Sequence, residues 1–279
     1  MSSVTNRIEK IKQPRGGYVK PSMFEITAYD DGINLYPEEN IHATYIGMAV
    51  DYLTRFSINN NLKDAFQISI MGALRAEKLG IDGASDTIIQ LLKNIKGLDD
   101  TSIINACKAV SFDTWYRNPR AALISQTSYK NINPDDNTIQ NIKTLVNRSI
   151  GFFEKYGPIT KDGFDFLPPN ANKEGYINMK NNKCTSYGGY TPTVDTGDGD
   201  FLTHDTLWDL KVLRSELKIK HTLQLLMYWI MGQHSGQDIF KNISKLGIFN
   251  PRYNYVYLLE VAKIPKETIS IVEKEVIGY

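Results

Sequence analysis

Acidic residues and one lysine lie close together in the last third of the sequence. Asp198 and Asp200 are two residues apart in a glycine-rich stretch, and Asp209 and Lys211 are two apart in the next apolar run. Because side chains alternate across a strand, each pair would project from one face. A short hairpin between the two runs would set the first pair of carboxylates beside Asp209. The pattern predicts a cluster of carboxylates with one ammonium group on the surface of a sheet.

Such a cluster has a specific chemical use. Carboxylates on neighbouring strands repel each other unless a cation lies between them. Hard oxygen ligands with an ammonium group nearby suit Mg²⁺ or Mn²⁺. Lys211 would then orient or help to deprotonate a water molecule, or stabilise negative charge that develops on a phosphate. These residue types therefore predict metal-dependent hydrolysis of phosphodiester bonds.

The helix predicted over residues 216–233 carries a polar line on a mostly apolar segment. His221, Gln224 and Tyr228 recur at helical spacing and share one side of the helix. If this line faces the carboxylates, Gln224 and Tyr228 would hydrogen-bond a phosphate or hold the lysine and its water. The candidate nucleic-acid-binding residues are His221 and three nearby cations: Arg214, Lys218 and Lys220.

Three motifs, taken in order, resemble those of the PD-(D/E)xK nuclease superfamily, specifically its RecB-like branch, which includes phage exonucleases of the lambda type. Gly197 and Asp200 match the family's Gly-x-x-Asp strand, and Asp209-Leu210-Lys211 matches its Asp/Glu-x-Lys strand. The helix motif Gln-x-x-x-Tyr is matched by residues 224–228. The resemblance covers roughly residues 41–56 and 187–260. An isolated Asp-x-Lys is common by chance, so the ordered combination carries the resemblance.

This resemblance implies an α/β fold with a restriction-endonuclease-like core, in which helices flank a mixed central sheet in the order α-β-β-β-α-β. It implies a metal-dependent DNA nuclease, with exonuclease-like action favoured. The implied metal ligands for Mg²⁺ or Mn²⁺ are Asp200 and Asp209, and Lys211 is the implied catalytic lysine. The remaining implied catalytic residues are Gln224 and Tyr228.

An upstream helix in the family often carries Gly-x-x-x-His, whose histidine or an acid contributes to the metal site. Here Gly47 is followed by Asp51 at the histidine position. A carboxylate can serve a hard metal, so Asp51 is a candidate third ligand. The spacing alone favours an exposed helix residue, and the family pattern makes the two interpretations equal.

The periodicity of apolar residues predicts the organisation of the chain. Residues 1–40 form a loop-rich lead-in with one short strand near 24–28, residues 41–58 form the first core helix, and residues 59–156 form a large helical insertion. Residues 157–279 supply the sheet and helix of the nuclease core, in one compact domain with 41–58. We expect three strands, a helix, and a final strand near 253–261 that joins the sheet after the helical crossover.

The composition excludes several classes of protein. The 279 residues include 32 Lys plus Arg against 31 Asp plus Glu, so nucleic-acid binding would depend on a local site. The two cysteines have no partner at metal-ligand spacing, which favours a reduced, cytoplasmic setting. The first 15 residues lack an apolar core, and the longest apolar stretch, 223–232, is too short to cross a membrane. We therefore expect no signal peptide and no membrane partner.

Simpler interpretations stay open for each residue taken alone. The acidic residues near 198–205 are also typical of a solvated turn, and Asp209 with Lys211 of a surface ion pair. Gln224 and Tyr228 also fit an ordinary core, and the aromatic and basic residues at 113–120 suit either base stacking or a packed loop anchor. A second hypothesis is a non-catalytic protein on a nuclease scaffold. The partners would be double- or single-stranded DNA, with a protein partner or a second copy of the chain bound through the helical insertion.

Overall fold

The computed structural model describes residues 2–125, 128–169, 171 and 187–279. The chain divides into two compact units. We call Met1–Tyr29 with Phe153–Tyr279 the sheet unit, and Asp30–Phe152 the helical unit. The sheet unit contains a six-stranded mixed sheet with helices, which confirms the predicted α/β class.

The strands are β1 (Glu25–Ala28), β2 (Lys161–Phe164), β3 (Gly199–Leu202), β4 (Thr206–Leu210), β5 (Lys245–Asn250) and β6 (Tyr255–Glu260). The α-helices are α1 (Val4–Lys10), α2 (Ala43–Asn59), α3 (Leu62–Ala65), α4 (Gln67–Lys78), α5 (Ala84–Lys93), α6 (Asp100–Ala109), α7 (Asp113–Arg117), α8 (Pro119–Ser125), α9 (Asp136–Tyr156), α10 (Ile219–Ser235) and α11 (Lys266–Ile271). A π-helical stretch, Val272–Ile277, follows α11. Among the described residues, no helix has the length and apolar character needed to span a membrane.

The sheet order is β1-β6-β5-β4-β3-β2, and β4 with β5 forms the parallel pair. Strands β2, β3 and β4 are antiparallel neighbours, and α10 carries the chain from β4 to β5. The predicted final strand near 253–261 is β6, which pairs antiparallel with β5. The strand that follows the crossover is therefore β5, which is not among the predicted strands. Its glycine is a packing feature, because a Cβ on Gly247 would lie 2.2 Å from the ring of Trp208.

The two faces of the sheet are covered by different elements. Helix α10 packs against β4 and β5 and buries Leu207 and Ile248 in the main apolar core. Trp208 lies on the opposite face, where Tyr156 at the end of α9 meets its ring edge-on with centroids 5.3 Å apart. The alternation of side chains along β4 therefore decides which residues face α10.

The lead-in predicted as loop contains helix α1. The Ser3 side chain accepts a hydrogen bond from the backbone N–H of Asn6 and caps the helix, and Val4 and Ile8 are buried. Arg7 donates to the backbone carbonyls of Glu275 and Val276. These contacts hold the start of the chain within the sheet unit.

Helix α2 overlaps the predicted first core helix, 41–58, but it belongs to the helical unit. Its side chains pack within that unit, where α2 contacts α6 and the rings of Tyr52 and Phe66 meet edge-on. The two units therefore divide the chain differently from the predicted grouping of 41–58 with 157–279. The sequence pattern of α2 predicts an apolar face, but it does not predict which element covers this face.

Asp113 lies buried at the start of α7. Its carboxylate accepts hydrogen bonds from Ser69 Oγ at 2.6 Å and from the Tyr52 hydroxyl, and Arg117 Nε lies 3.9 Å away. Burial raises the pKa of Asp113 above its usual range, and these hydrogen bonds oppose the rise. Of the predicted aromatic and basic cluster at 113–120, Asp113 therefore matches a packed anchor.

Candidate active site

The β3–β4 hairpin brings two of the predicted catalytic carboxylates together. Phe201 is paired with Trp208 in the antiparallel ladder, and the same register one step further sets Asp200 opposite Asp209. The backbone N–H of Leu210 donates to Asp200 Oδ2 at 2.7 Å, which fixes that carboxylate against the end of β4. Directly opposed residues of an antiparallel pair share one face of the sheet. The two carboxylates therefore lie on the face that α10 covers.

Lys211 lies beside Asp209. Its Nζ is 3.0 Å from Asp209 Oδ2, and the side chains are 24% and 5% exposed, respectively. The backbone N–H of Lys211 donates to the carbonyl of Phe249, so the lysine extends the parallel pairing of β4 with β5. Beyond it, the buried Asn250 side chain accepts from Leu213 N–H and donates to Leu213 C=O. The ammonium group thus projects from a backbone that is held on both sides.

Helix α10 places Tyr228 and Gln224 over the same face. Gln224 Nε2 donates to the Tyr228 hydroxyl oxygen at 2.8 Å, and Tyr228 is buried. Burial, followed by the negative charge of Asp209, raises the pKa of Tyr228 well above its usual range. Asp198 and Asp200 act in the same direction. Tyr228 is therefore a neutral hydroxyl close to the carboxylates, with its oxygen engaged by the amide.

The four candidate nucleic-acid-binding residues are three exposed cations and one buried imidazole. His221 is buried, and its Nδ1 accepts from the backbone N–H of Lys218 at 3.1 Å, which caps the start of α10. Burial, together with the positive charges of Lys211, Lys220 and Lys218, lowers the pKa of His221 to about 4. The imidazole is therefore neutral at pH 7. Arg214, Lys218 and Lys220 are exposed.

The glycines of the first motif have packing roles. A Cβ on Gly199 would lie 1.9 Å from the ring of Phe164, and one on Gly197 would lie 2.8 Å from Val4. The Phe164 ring in turn meets Tyr228 edge-on. Close approach of β3 to these side chains therefore requires residues without a Cβ.

The structure gathers five of the predicted site residues in the sheet unit: Asp200, Asp209, Lys211, Gln224 and Tyr228. The candidate third ligand, Asp51, lies in the helical unit, where its carboxylate pairs with Arg55 Nε at 2.8 Å. Across the described ranges, no group of three or more histidine, cysteine, aspartate and glutamate side chains is arranged to hold a metal ion. The sheet unit therefore supplies a carboxylate pair with one ammonium group.

Sequence reasoning missed the segment 13–19, which packs against the start of α10. The Thr222 hydroxyl donates to the carbonyl of Val19 at 2.6 Å, and the Gln13 side chain donates to the carbonyl of Ile219. Gly17 has φ +85°, and a Cβ there would lie 2.8 Å from Ile219. The Gly16-Gly17 pair is the signal of this close approach, but in the sequence it is also typical of a loop.

Comparisons with known proteins add no relative. No protein-family model matches the chain, and searches of curated proteins and of solved structures found no match.

Proposed function

We propose that the chain is a metal-dependent nuclease that hydrolyses phosphodiester bonds in DNA. The observation that carries the proposal is the opposed pair Asp200 and Asp209 on β3 and β4, with Lys211 Nζ 3.0 Å from Asp209. Burying charged groups costs free energy that their pairing repays only in part, and such groups are concentrated at functional sites. The sequence resemblance to the PD-(D/E)xK nucleases supports the same function and a restriction-endonuclease-like arrangement of the sheet unit.

The donor set suits Mg²⁺ or Mn²⁺. Both metals prefer oxygen ligands, and Mg²⁺ is commonly held by one or two carboxylates while it keeps several water molecules. Asp200 and Asp209 provide these oxygens from adjacent strands, and the Leu210 N–H orients the first of them. A cation bound by these residues would stabilise the negative charge of the scissile phosphate.

The neighbouring side chains have distinct roles in this proposal. Lys211 carries a positive charge beside Asp209 and would stabilise charge that develops on the phosphate, or orient the attacking water. Tyr228 is neutral because its pKa is raised, so it would act as a hydrogen-bond donor and not as a base. Gln224 holds the Tyr228 oxygen and is a positioning residue.

The test is cleavage of linear and circular DNA, single- and double-stranded, with Mg²⁺, Mn²⁺ or EDTA. We expect metal-dependent loss of substrate that falls at least about a hundredfold in Lys211→Ala and in Asp209→Asn, the loss typical of removing a group that stabilises the transition state. A preference for linear over circular substrate would support exonuclease action.

The chain offers a matched control for the lysine variant. Lys245, at the start of β5, pairs at 2.8 Å with Asp205, which precedes β4, so this pair lies at the other end of the two strands from Lys211. Lys245→Ala therefore removes a lysine from a more exposed ion pair without touching Asp200, Asp209 or Lys211, and it should retain cleavage. No cleavage by the wild type with either metal, or equal loss in both lysine variants, would overturn the proposal. Retardation of DNA without cleavage would favour the non-catalytic scaffold.

A further inference from the structure

Positive charge is concentrated in two short segments of a chain whose net charge is only +1. Residues 7–20 hold five cations, Arg7, Lys10, Lys12, Arg15 and Lys20, against one acid, Glu9. Residues 211–220 hold four cations, Lys211, Arg214, Lys218 and Lys220, against one acid, Glu216. A local surplus of this kind attracts polyanions even where the total charge is balanced.

The fold brings these two segments into contact. The hydrogen bonds of Gln13 and Val19 with α10, and the close approach of Gly17 to Ile219, attach the first segment to the start of that helix. Lys218 and Lys220 flank Ile219 in the sequence and are exposed. Their charges and that of Lys211 all lower the pKa of His221. The first segment therefore lies against the start of α10, next to the exposed Lys218 and Lys220 in the sequence.

A surface groove lies between the N-terminal segment and the residues that follow β6. It has a volume of about 700 Å³ and is lined by Lys12, Lys20 and Lys263, with Tyr18, Pro14 and Pro265 among its apolar walls. All three lysines are exposed. Lys263 forms a long ion pair with Glu260, whose Oε1 lies 3.8 Å from its Nζ. Lysines separated by apolar walls suit a chain that alternates phosphates with sugars.

We propose that the groove of Lys12, Lys20 and Lys263 binds the phosphate backbone of the DNA that the chain cleaves. This inference rests on the proposed nuclease and adds to it a binding surface formed by the N-terminal segment and the segment before α11. Contacts of ammonium groups with phosphates carry no sequence information, so the proposed contribution of the groove is to affinity and not to sequence preference.

The test measures DNA binding in EDTA, so that no cleavage takes place. Labelled duplex and single-stranded DNA are titrated with the wild type and with the triple variant Lys12→Ala, Lys20→Ala, Lys263→Ala, at about 50 to 200 mM salt. Affinity falls as salt rises, and each lost phosphate contact makes this dependence less steep by about 0.9 in log affinity per log salt on duplex. For the triple variant we expect a slope that is less steep by about 2 to 3, and an affinity near 0.1 M salt that is at least about tenfold lower.

A matched control removes the same charge elsewhere. Lys63, Lys78 and Lys93 are exposed lysines of the helical unit, and their triple alanine variant should bind within about twofold of the wild type. Equal weakening of both triple variants, an unchanged slope in the groove variant, or wild-type protein that binds no DNA would overturn the inference. Binding that depends on the groove in a wild type that never cleaves would support it, and would refute the nuclease separately.

Discussion

Replacing Lys211 by methionine removes the ammonium group beside Asp209 and keeps most of the aliphatic side chain. The Nζ–Oδ2 distance is 3.0 Å, and the Asp209 side chain is 5% exposed, so the carboxylate loses a charge partner in a poorly solvated place. The expected result is a lower free energy of unfolding, beyond any loss of cleavage. This effect on stability can be measured without a substrate.

The magnitude follows from the two exposures. Removing one partner of a fully buried ion pair costs about 3 to 5 kcal/mol, whereas exposed pairs contribute about 0 to 1 kcal/mol. Because the Lys211 side chain is 24% exposed, water can partly replace it, and we expect a loss of about 1 to 3 kcal/mol. Combined with Asp209→Asn in a double-mutant cycle, the coupling energy should be about 1 to 2 kcal/mol.

The assay is urea unfolding followed by tryptophan fluorescence. The cycle is made in a Trp115→Phe background, because Trp208 and Trp229 lie in the sheet unit and Trp115 does not. The same cycle on Asp205 and Lys245, whose side chains are 38% and 35% exposed, is the control and should give about 0 to 1 kcal/mol.

Single-variant losses for Lys211 and Asp209 that add within about 0.5 kcal/mol would refute the reasoning. A coupling energy no larger than that of the exposed pair would refute it equally. Either result would mean that the two charges act independently in the folded protein.

Three further predictions concern the surroundings of the carboxylates. The pKa of His221 is lowered to about 4, so the stability that its neutral form contributes is complete above about pH 6.5 and is lost as the pH falls toward 4. His221→Asn keeps an acceptor for the helix cap but does not titrate in this range. Between pH 7 and 4.5 the wild type should therefore lose about 1 to 3 kcal/mol more unfolding free energy than the variant does. Gly199→Ala should cost about 1 to 3 kcal/mol in urea unfolding because the new methyl group overlaps the Phe164 ring, and an unchanged midpoint would contradict the close packing. Tyr228→Phe should cost about 1 kcal/mol by loss of the Gln224 hydrogen bond and should slow cleavage with DNA affinity unchanged; equal loss of affinity would instead assign the hydroxyl to binding.

Tertiary contacts overrode several local patterns. The strand at residues 245–250 is not among the predicted strands, because Gly247 and Asn250 are common turn formers. In the fold, Gly247 makes room for Trp208 and Asn250 hydrogen-bonds Leu213. Residues 1–15 read as a polar lead-in, yet α1 buries Val4 and Ile8 in the sheet unit. His221 belongs to the polar line of α10, but it is buried and its Nδ1 caps the start of the helix.

The amino-acid sequence alone was enough to predict the α/β class, the helix that follows β4, and the facing of Asp200 and Asp209 across a hairpin. These features depend on residue alternation, helical periodicity and turn chemistry, which act over a few residues and leave a pattern in the chain. Two features required the tertiary structure: the contact of segment 13–19 with α10, and the grouping of α2 with the helical unit. Both join residues that are remote in sequence, and an apolar or charged face does not specify which distant segment covers it.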